Sequence, residues 1–129
     1  MFAQPEAAVG CFPPFGAACF PARIGQRAAA ELILEGKSFS AEEAHKIGLV
    51  NQVTDDLNGA VWKLYEKLSH FSSAVLRLAK RALAGPKTII ETRLKHSEAI
   101  YLHELVKVKD MNEGLNAFLK KRAPVWSGK

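Results

Sequence analysis

Cysteine is scarce in this chain of 129 residues: Cys11 and Cys19 are the only two. Two thiols are too few to staple a small secreted fold, and they fit unpaired side chains in a reducing cytoplasm. Charge is missing from the opening, where Glu6 is the single charged side chain between Met1 and Ala22. That run is long enough to raise the question of a membrane span. Pro5, Pro13, Pro14 and Pro21 would each break a spanning helix, however, and Glu6 would be costly in lipid. No basic residue precedes the apolar part, which argues against a secretory signal. Repeats and low-complexity tracts are absent as well. With 48% hydrophobic and 24% charged residues the composition is that of an ordinary globular domain, not of a disordered or collagen-like chain. The first 22 residues therefore read as a buried, loop-rich segment carrying one carboxylate.

The net charge of +5 is unevenly placed. Residues 1–60 carry four basic and seven acidic side chains, whereas residues 61–129 carry fourteen and six. A basic half suits an anionic partner such as a phosphate-bearing ligand, nucleic acid or a membrane surface, and equally suits a solvated helical face.

After Pro21 the punctuation becomes regular. Gln26-Arg27-Ala28-Ala29-Ala30 opens a helix that Gly36 stops. Ser40 with Glu43 forms a capping box ahead of a short helix that ends near Gly48. Leu49 to Val53 is partly β-branched and reads as a short strand or extended link. Gly36-Lys37-Ser38 lacks the upstream glycine of a phosphate-binding loop, because Glu31 stands there. Leu57, Val61, Leu64, Tyr65, Leu68 and Phe71 recur at helical spacing. Ser72 or Ser73 starts a further helix that Gly85-Pro86 stops, and another is expected from about Thr88 to Lys109. Asp110 with Glu113 has the form of a capping pair before the last helix. The fold class is therefore mainly α with a short β element. The later helices form an amphipathic layer able in part to cover itself, while the apolar opening calls for protein outside these residues.

Phe2-Ala3-Gln4-Pro5-Glu6, then Val9-Gly10 and Phe12-Pro13-Pro14, resembles the centre of the enoyl-CoA hydratase/isomerase (crotonase) superfamily. There an F-[GA]-x-P-E pattern leads to a glycine and a proline-containing loop. The similarity continues through Pro21-Ala22-Arg23-Ile24-Gly25, Glu31 to Gly36, Ser40-Ala41-Glu42-Glu43-Ala44 and Gly48-Leu49-Val50-Asn51. It closes on Glu113-Gly114-Leu115-Asn116-Ala117-Phe118-Leu119-Lys120-Lys121-Arg122-Ala123-Pro124, which is similar to the family's terminal E-G-x-x-A-F-x-x-K-R-x-P. The segment after Pro5-Glu6 departs from the glycine-rich loop of most hydratases. It looks like the F-P-P loop of cyclohexa-1,5-diene-1-carbonyl-CoA hydratases, although Phe15, Cys19 and Phe20 have no clear match there.

The resemblance implies the C-terminal part of the crotonase (ClpP/crotonase-like) spiral fold plus its helical C-terminal region. Residues 1–53 would be a truncated piece of the core, and residues 54–129 a helical oligomerisation region with trimer-type contacts. It implies an acid/base glutamate at Glu6, coenzyme A contacts at Phe118 and Lys121, and a substrate-pocket loop at Phe12, Pro13 and Pro14. The family's oxyanion donors lie in segments to which nothing in these 129 residues corresponds. The expected activity is hydration of an unsaturated, cyclic dienoyl thioester by the intact cytoplasmic protein, with coenzyme A as part of the substrate, no separate cofactor, no metal and no membrane partner. This chain alone is expected to be inactive. A helical interaction module without catalysis is the alternative, and a basic nucleic-acid-binding domain a weaker one, since the Arg77, Lys80 and Arg81 cluster lacks interleaved aromatics. His96 and His103 share a helical face but have no third ligand beside them.

Overall fold

The computed structural model describes all residues 1–129. Seven α-helices follow one another: α1 Pro14–Ile24, α2 Gln26–Glu35, α3 Ala41–Lys46, α4 Leu57–Ser69, α5 Ser73–Ala84, α6 Lys87–His103 and α7 Lys109–Leu119. Two-residue strands, β1 Phe2–Ala3 and β2 Ser38–Phe39, pair antiparallel with Phe2 opposite Phe39. The rings of that pair stack at 5.5 Å. The small core holds Leu32, Phe39 and Ala44, with Ile24, Ile47, Leu49 and Val50 packed around it.

Local signals account for most helix ends. Gly36 takes φ +61° after α2, a left-handed stop that needs no Cβ. Ser40 accepts from the Glu43 N–H at 3.1 Å, and the Glu43 carboxylate accepts from the Ser40 N–H at 2.7 Å. The capping box is thus complete. Gly85 ends α5.

Several expectations need correction. The prolyl opening is not a loop: Pro13 and Pro14 occupy the start of α1, where a missing N–H costs nothing. Pro21 lies inside α1, which ends three residues later, and packing of this helix on α2 and α6 outweighs the one lost bond. The segment is also only partly buried, Phe15 being 63% exposed. Of the two forms open to Leu49–Val53, the structure has the link and not the strand; the strands lie at Phe2–Ala3 and Ser38–Phe39. The helix expected to reach Lys109 ends at His103 and is followed by a 3-10 turn, Leu105–Lys107.

A further correction concerns Asp110 and Glu113, which clamp the C-terminal tail instead of capping a helix. Asp110 accepts from the Ser127 N–H and hydroxyl and from the Gly128 N–H, each at 2.7 Å. Glu113 accepts two bonds from the Arg122 guanidinium, at 2.5 and 2.8 Å, and a third from the Val125 N–H at 2.8 Å. The Arg122 pair, with Val125, holds the Glu113 carboxyl down at about 2, and the Ser127 and Gly128 donors hold that of Asp110 below its usual value. Depressed carboxylates stabilise the clamp above their unfolded pKa and lose that contribution as pH falls through the folded one. The tail is therefore expected to detach between about pH 4.5 and about pH 2. Amide exchange at Val125, Ser127 and Gly128 should rise across that window, while exchange in α2 stays slow.

A folded monomer of this mass exposes about 6,700 Å², whereas this chain exposes 10045 Å². The excess sits on the later helices. No residue of α4 or α5 is buried, so the self-covering cluster expected for the helical half does not form. Trp62, Tyr65 and Phe71 are each at least 60% exposed, an apolar face of the kind that marks an interaction surface.

Candidate active site

Glu6 sits in a 3-10 turn, Pro5–Val9, started by Pro5 and closed by Gly10 at φ +75°. The Gly10 N–H donates to the Ala7 carbonyl and the Cys11 N–H to the Glu6 carbonyl, at 3.2 and 3.0 Å. The turn lies directly on α7, where Gly114 meets it backbone to backbone. A Cβ at position 114 would run into the Val9 carbonyl and come within 2.9 Å of the Gly10 nitrogen. That contact gives the Glu113-Gly114 pair its physical meaning.

Between turn and helix runs a groove of about 520 Å³ whose walls include Pro5, Glu6, Val9, Leu115, Phe118 and Arg122. The structure thus brings together Glu6 and Phe118, residues 112 positions apart by their numbers. One Glu6 oxygen, Oε2, is buried and has no hydrogen-bond partner. Leaving a buried acceptor unsatisfied costs about 1–3 kcal/mol, so this carboxylate is held in place by its turn and not by a structural bond of that oxygen. Phe118 is 68% exposed, which leaves its ring available to a flat ligand.

The other predicted residues lie elsewhere. Lys121 is outside the groove wall, just beyond α7. Its φ of +51° is the only positive value at a non-glycine residue. The Arg122 N–H donates to the Ala117 carbonyl and the Lys121 N–H to that of Phe118, the double bond pattern that ordinarily places glycine where Lys121 stands. Phe12 faces a second cleft, between α1 and α6. Pro13 is buried beneath the start of α1, and Pro14 is the first residue of that helix.

Tyr101 escaped the sequence reading. Its ring meets that of Phe12 edge to face at 5.5 Å and 68°. The neighbouring Cys11 side chain, followed by partial burial and the Glu6 carboxylate, raises the Tyr101 hydroxyl above its usual pKa. Tyr101 therefore stands beside the Glu6 turn as a neutral phenol. The available signal was its place on the same helical face as Arg93, Ser97 and Ile100, a spacing that turns polar groups towards a packed neighbour.

A profile of the family described as enoyl-CoA hydratase/isomerase matches residues 1–129. The chain belongs to the enoyl-CoA hydratase/isomerase family. The cyclohexa-1,5-dienecarbonyl-CoA hydratase of Thauera aromatica is 36% identical over 132 residues, covering 99% of this chain and 50% of that protein. A probable mitochondrial enoyl-CoA hydratase of Dictyostelium discoideum is 33% identical, covering 100% of this chain and 48% of its own length. The crystal structure of an enoyl-CoA hydratase from Mycobacterium avium superposes with a TM-score of 0.79 at 29% identity. It covers 98% of this chain and 50% of that one. This enoyl-CoA hydratase/isomerase family chain thus spans about half the length of the curated relatives it matches. Its mainly helical architecture matches part of the crotonase fold, as the resemblance implied. No helix is long and apolar enough to cross a membrane.

Proposed function

We propose that this chain carries the acid/base half of an acyl-CoA hydratase that adds water to an unsaturated thioester, with a cyclic dienoyl group as the preferred acyl. The single observation that carries the reading is the buried, unpartnered Glu6 Oε2 in a groove shared with Phe118. A carboxyl poised without a structural partner can exchange protons with water and with carbon. Phe118 supports stacking by an adenine, and Lys121 supports a phosphate at the helix end as a mobile point charge. Coenzyme A enters as part of the substrate. The name of the Thauera relative and the Phe12-Pro13-Pro14 sequence support the cyclic dienoyl group. In this reading the oxyanion donors come from a segment these residues do not include, so the chain by itself is inactive. The exposed faces of α4 and α5 favour a second role for residues 54–129 in assembly between copies.

Calorimetric titration with coenzyme A tests the reading. Binding that weakens several-fold in Lys121→Ala supports it, and no binding by the wild-type chain overturns it. Lys121→Gly separates strain from function. Glycine should relieve the left-handed backbone and stabilise the chain by about 1 kcal/mol, while coenzyme A binding falls as in Lys121→Ala. A stability gain with unchanged affinity removes Lys121 from the phosphate site.

A further inference from the structure

The cleft between α1 and α6 is lined by a set of groups that the Glu6 groove does not use. It encloses about 320 Å³ and takes Arg93, His96 and Ser97 from α6, Gln26 from the start of α2, and Phe12 and Ile100 as apolar wall. Arg93, His96, Ser97 and Ile100 lie at helical offsets of three, four and seven, which sets them on one face of α6. Ser97 is 6% exposed, the only buried polar or charged side chain of the molecule, and its Oγ has no hydrogen-bond partner. Arg93 is equally free, since the ion pairs present are Lys37–Glu31, Lys37–Glu35 and Arg122–Glu113. Helix α2 begins at Gln26 with no side-chain cap and no acidic residue in its first turn. Its free N–H groups thus add positive potential beside the cleft.

We propose that this cleft binds a carboxylate. The lining offers a guanidinium, an imidazole, a hydroxyl and an amide as donors, and no acidic side chain competes for them. A guanidinium fork matches the two oxygens of a carboxylate, and the buried Ser97 hydroxyl gains the partner it lacks. An alkyl or ring portion of the ligand lies along Phe12 and Ile100, giving the mix of apolar wall and few convergent polar groups usual for small-molecule sites. Phe12 also touches Tyr101, beside the Glu6 turn. The carboxylate can therefore be the far end of an acyl thioester whose reacting end is near Glu6, or a free organic acid. Only the thioester source rests on the hydratase reading. A ring carrying a second carboxylate satisfies that source and the cyclic acyl group together.

Titration of the 129-residue chain with adipate, adipyl-CoA and hexanoyl-CoA distinguishes the cases. If the far end of a thioester is bound, adipyl-CoA binds roughly tenfold or more tightly than hexanoyl-CoA, and Arg93→Met erases the difference. If a free acid is bound, adipate itself binds and loses affinity by a similar factor in Arg93→Met, while the two thioesters do not differ. Ser97→Ala, which removes one oxygen and leaves the helix intact, reads the same effect should Arg93→Met fail to fold by circular dichroism. Adipate binding with no thioester binding keeps the site and removes the hydratase reading. Hexanoyl-CoA binding without any gain from the carboxylate, and no adipate binding, overturns the site and leaves that reading standing. A carboxylate preference that survives both substitutions also overturns it.

Discussion

Gly114→Ala should undock α7 from the turn that carries Glu6 and cost the chain about 3 kcal/mol, the upper part of the usual range for overpacking. The added methyl meets the Val9 carbonyl and the Gly10 nitrogen, and neither can swing aside as the end of a long side chain could. Gly10 cannot absorb the shift. It already sits at φ +75°, so close to α7 that a Cβ there would come within 2.7 Å of the Asp110 carbonyl oxygen. The two glycines are thus pressed together from both sides, and a change at either moves the whole crossing. Native domains are stable by only about 5–15 kcal/mol, and a chain with 11 of 129 residues buried belongs at the low end of that range. Urea unfolding of Gly114→Ala, with Asn116→Ala as a control on the exposed side of the same helix, checks the expectation. The control should move stability by less than about 0.5 kcal/mol. A Gly114→Ala chain as stable as the control would mean that the turn and α7 are not in close contact.

The glycine crossing also shows what kind of feature a sequence makes legible. Helices α2, α3 and α5 could be read from their ends, because Gly36, Gly85 and the Ser40–Glu43 box act within a few residues of the chain they punctuate. Pairings between distant residues could not. Phe2 meets Phe39 only because α1 and α2 return the chain to its start, and nothing about a two-residue strand declares its partner. Asp110 and Glu113 have the spacing of a capping pair, yet their partners are Ser127, Gly128, Arg122 and Val125, brought back by the turn after Leu119. Pro21 lies inside α1, where packing against α2 and α6 outweighs its lost bond, a balance that local spacing does not carry.

The candidate site divides in the same way. Glu6 was legible as the one carboxylate of an apolar opening and as the glutamate of the F-[GA]-x-P-E resemblance, and Phe118 because it lies in the terminal motif. Their meeting in one groove depends on α7 crossing the turn, which spacing alone does not encode. Tyr101 and Ser97 were missed because α6 packs with polar and aromatic groups on the face turned to α1, where a reader of amphipathic stripes expects leucines. That polar face is the best remaining indicator of function in the helical half. Burying an unpaired hydroxyl serves no purpose in stability alone.

Glu6→Gln should separate catalysis from folding more sharply than any other substitution. Supplied in trans with the N-terminal half of a crotonase-fold hydratase, which in the proposed reading contributes the oxyanion donors, the chain is expected to hydrate crotonyl-CoA or a cyclic dienoyl-CoA. Glu6→Gln should then lower the rate about 10²–10⁴-fold, the usual contribution of a positioned acid/base group. Stability should not fall with it. Oε2 has no bond to lose, and a neutral amide of the same shape is cheaper to bury than a carboxylate. Urea unfolding of wild type and Glu6→Gln should therefore agree within about 1 kcal/mol or favour the variant. A purely structural glutamate would behave in the opposite way, losing stability first and activity only as a consequence. If the 129-residue chain alone hydrates the thioester, and Glu6→Gln abolishes that activity, the need for external oxyanion donors is wrong. If the complemented pair is active and Glu6→Gln leaves its rate unchanged, Glu6 is not the acid/base group.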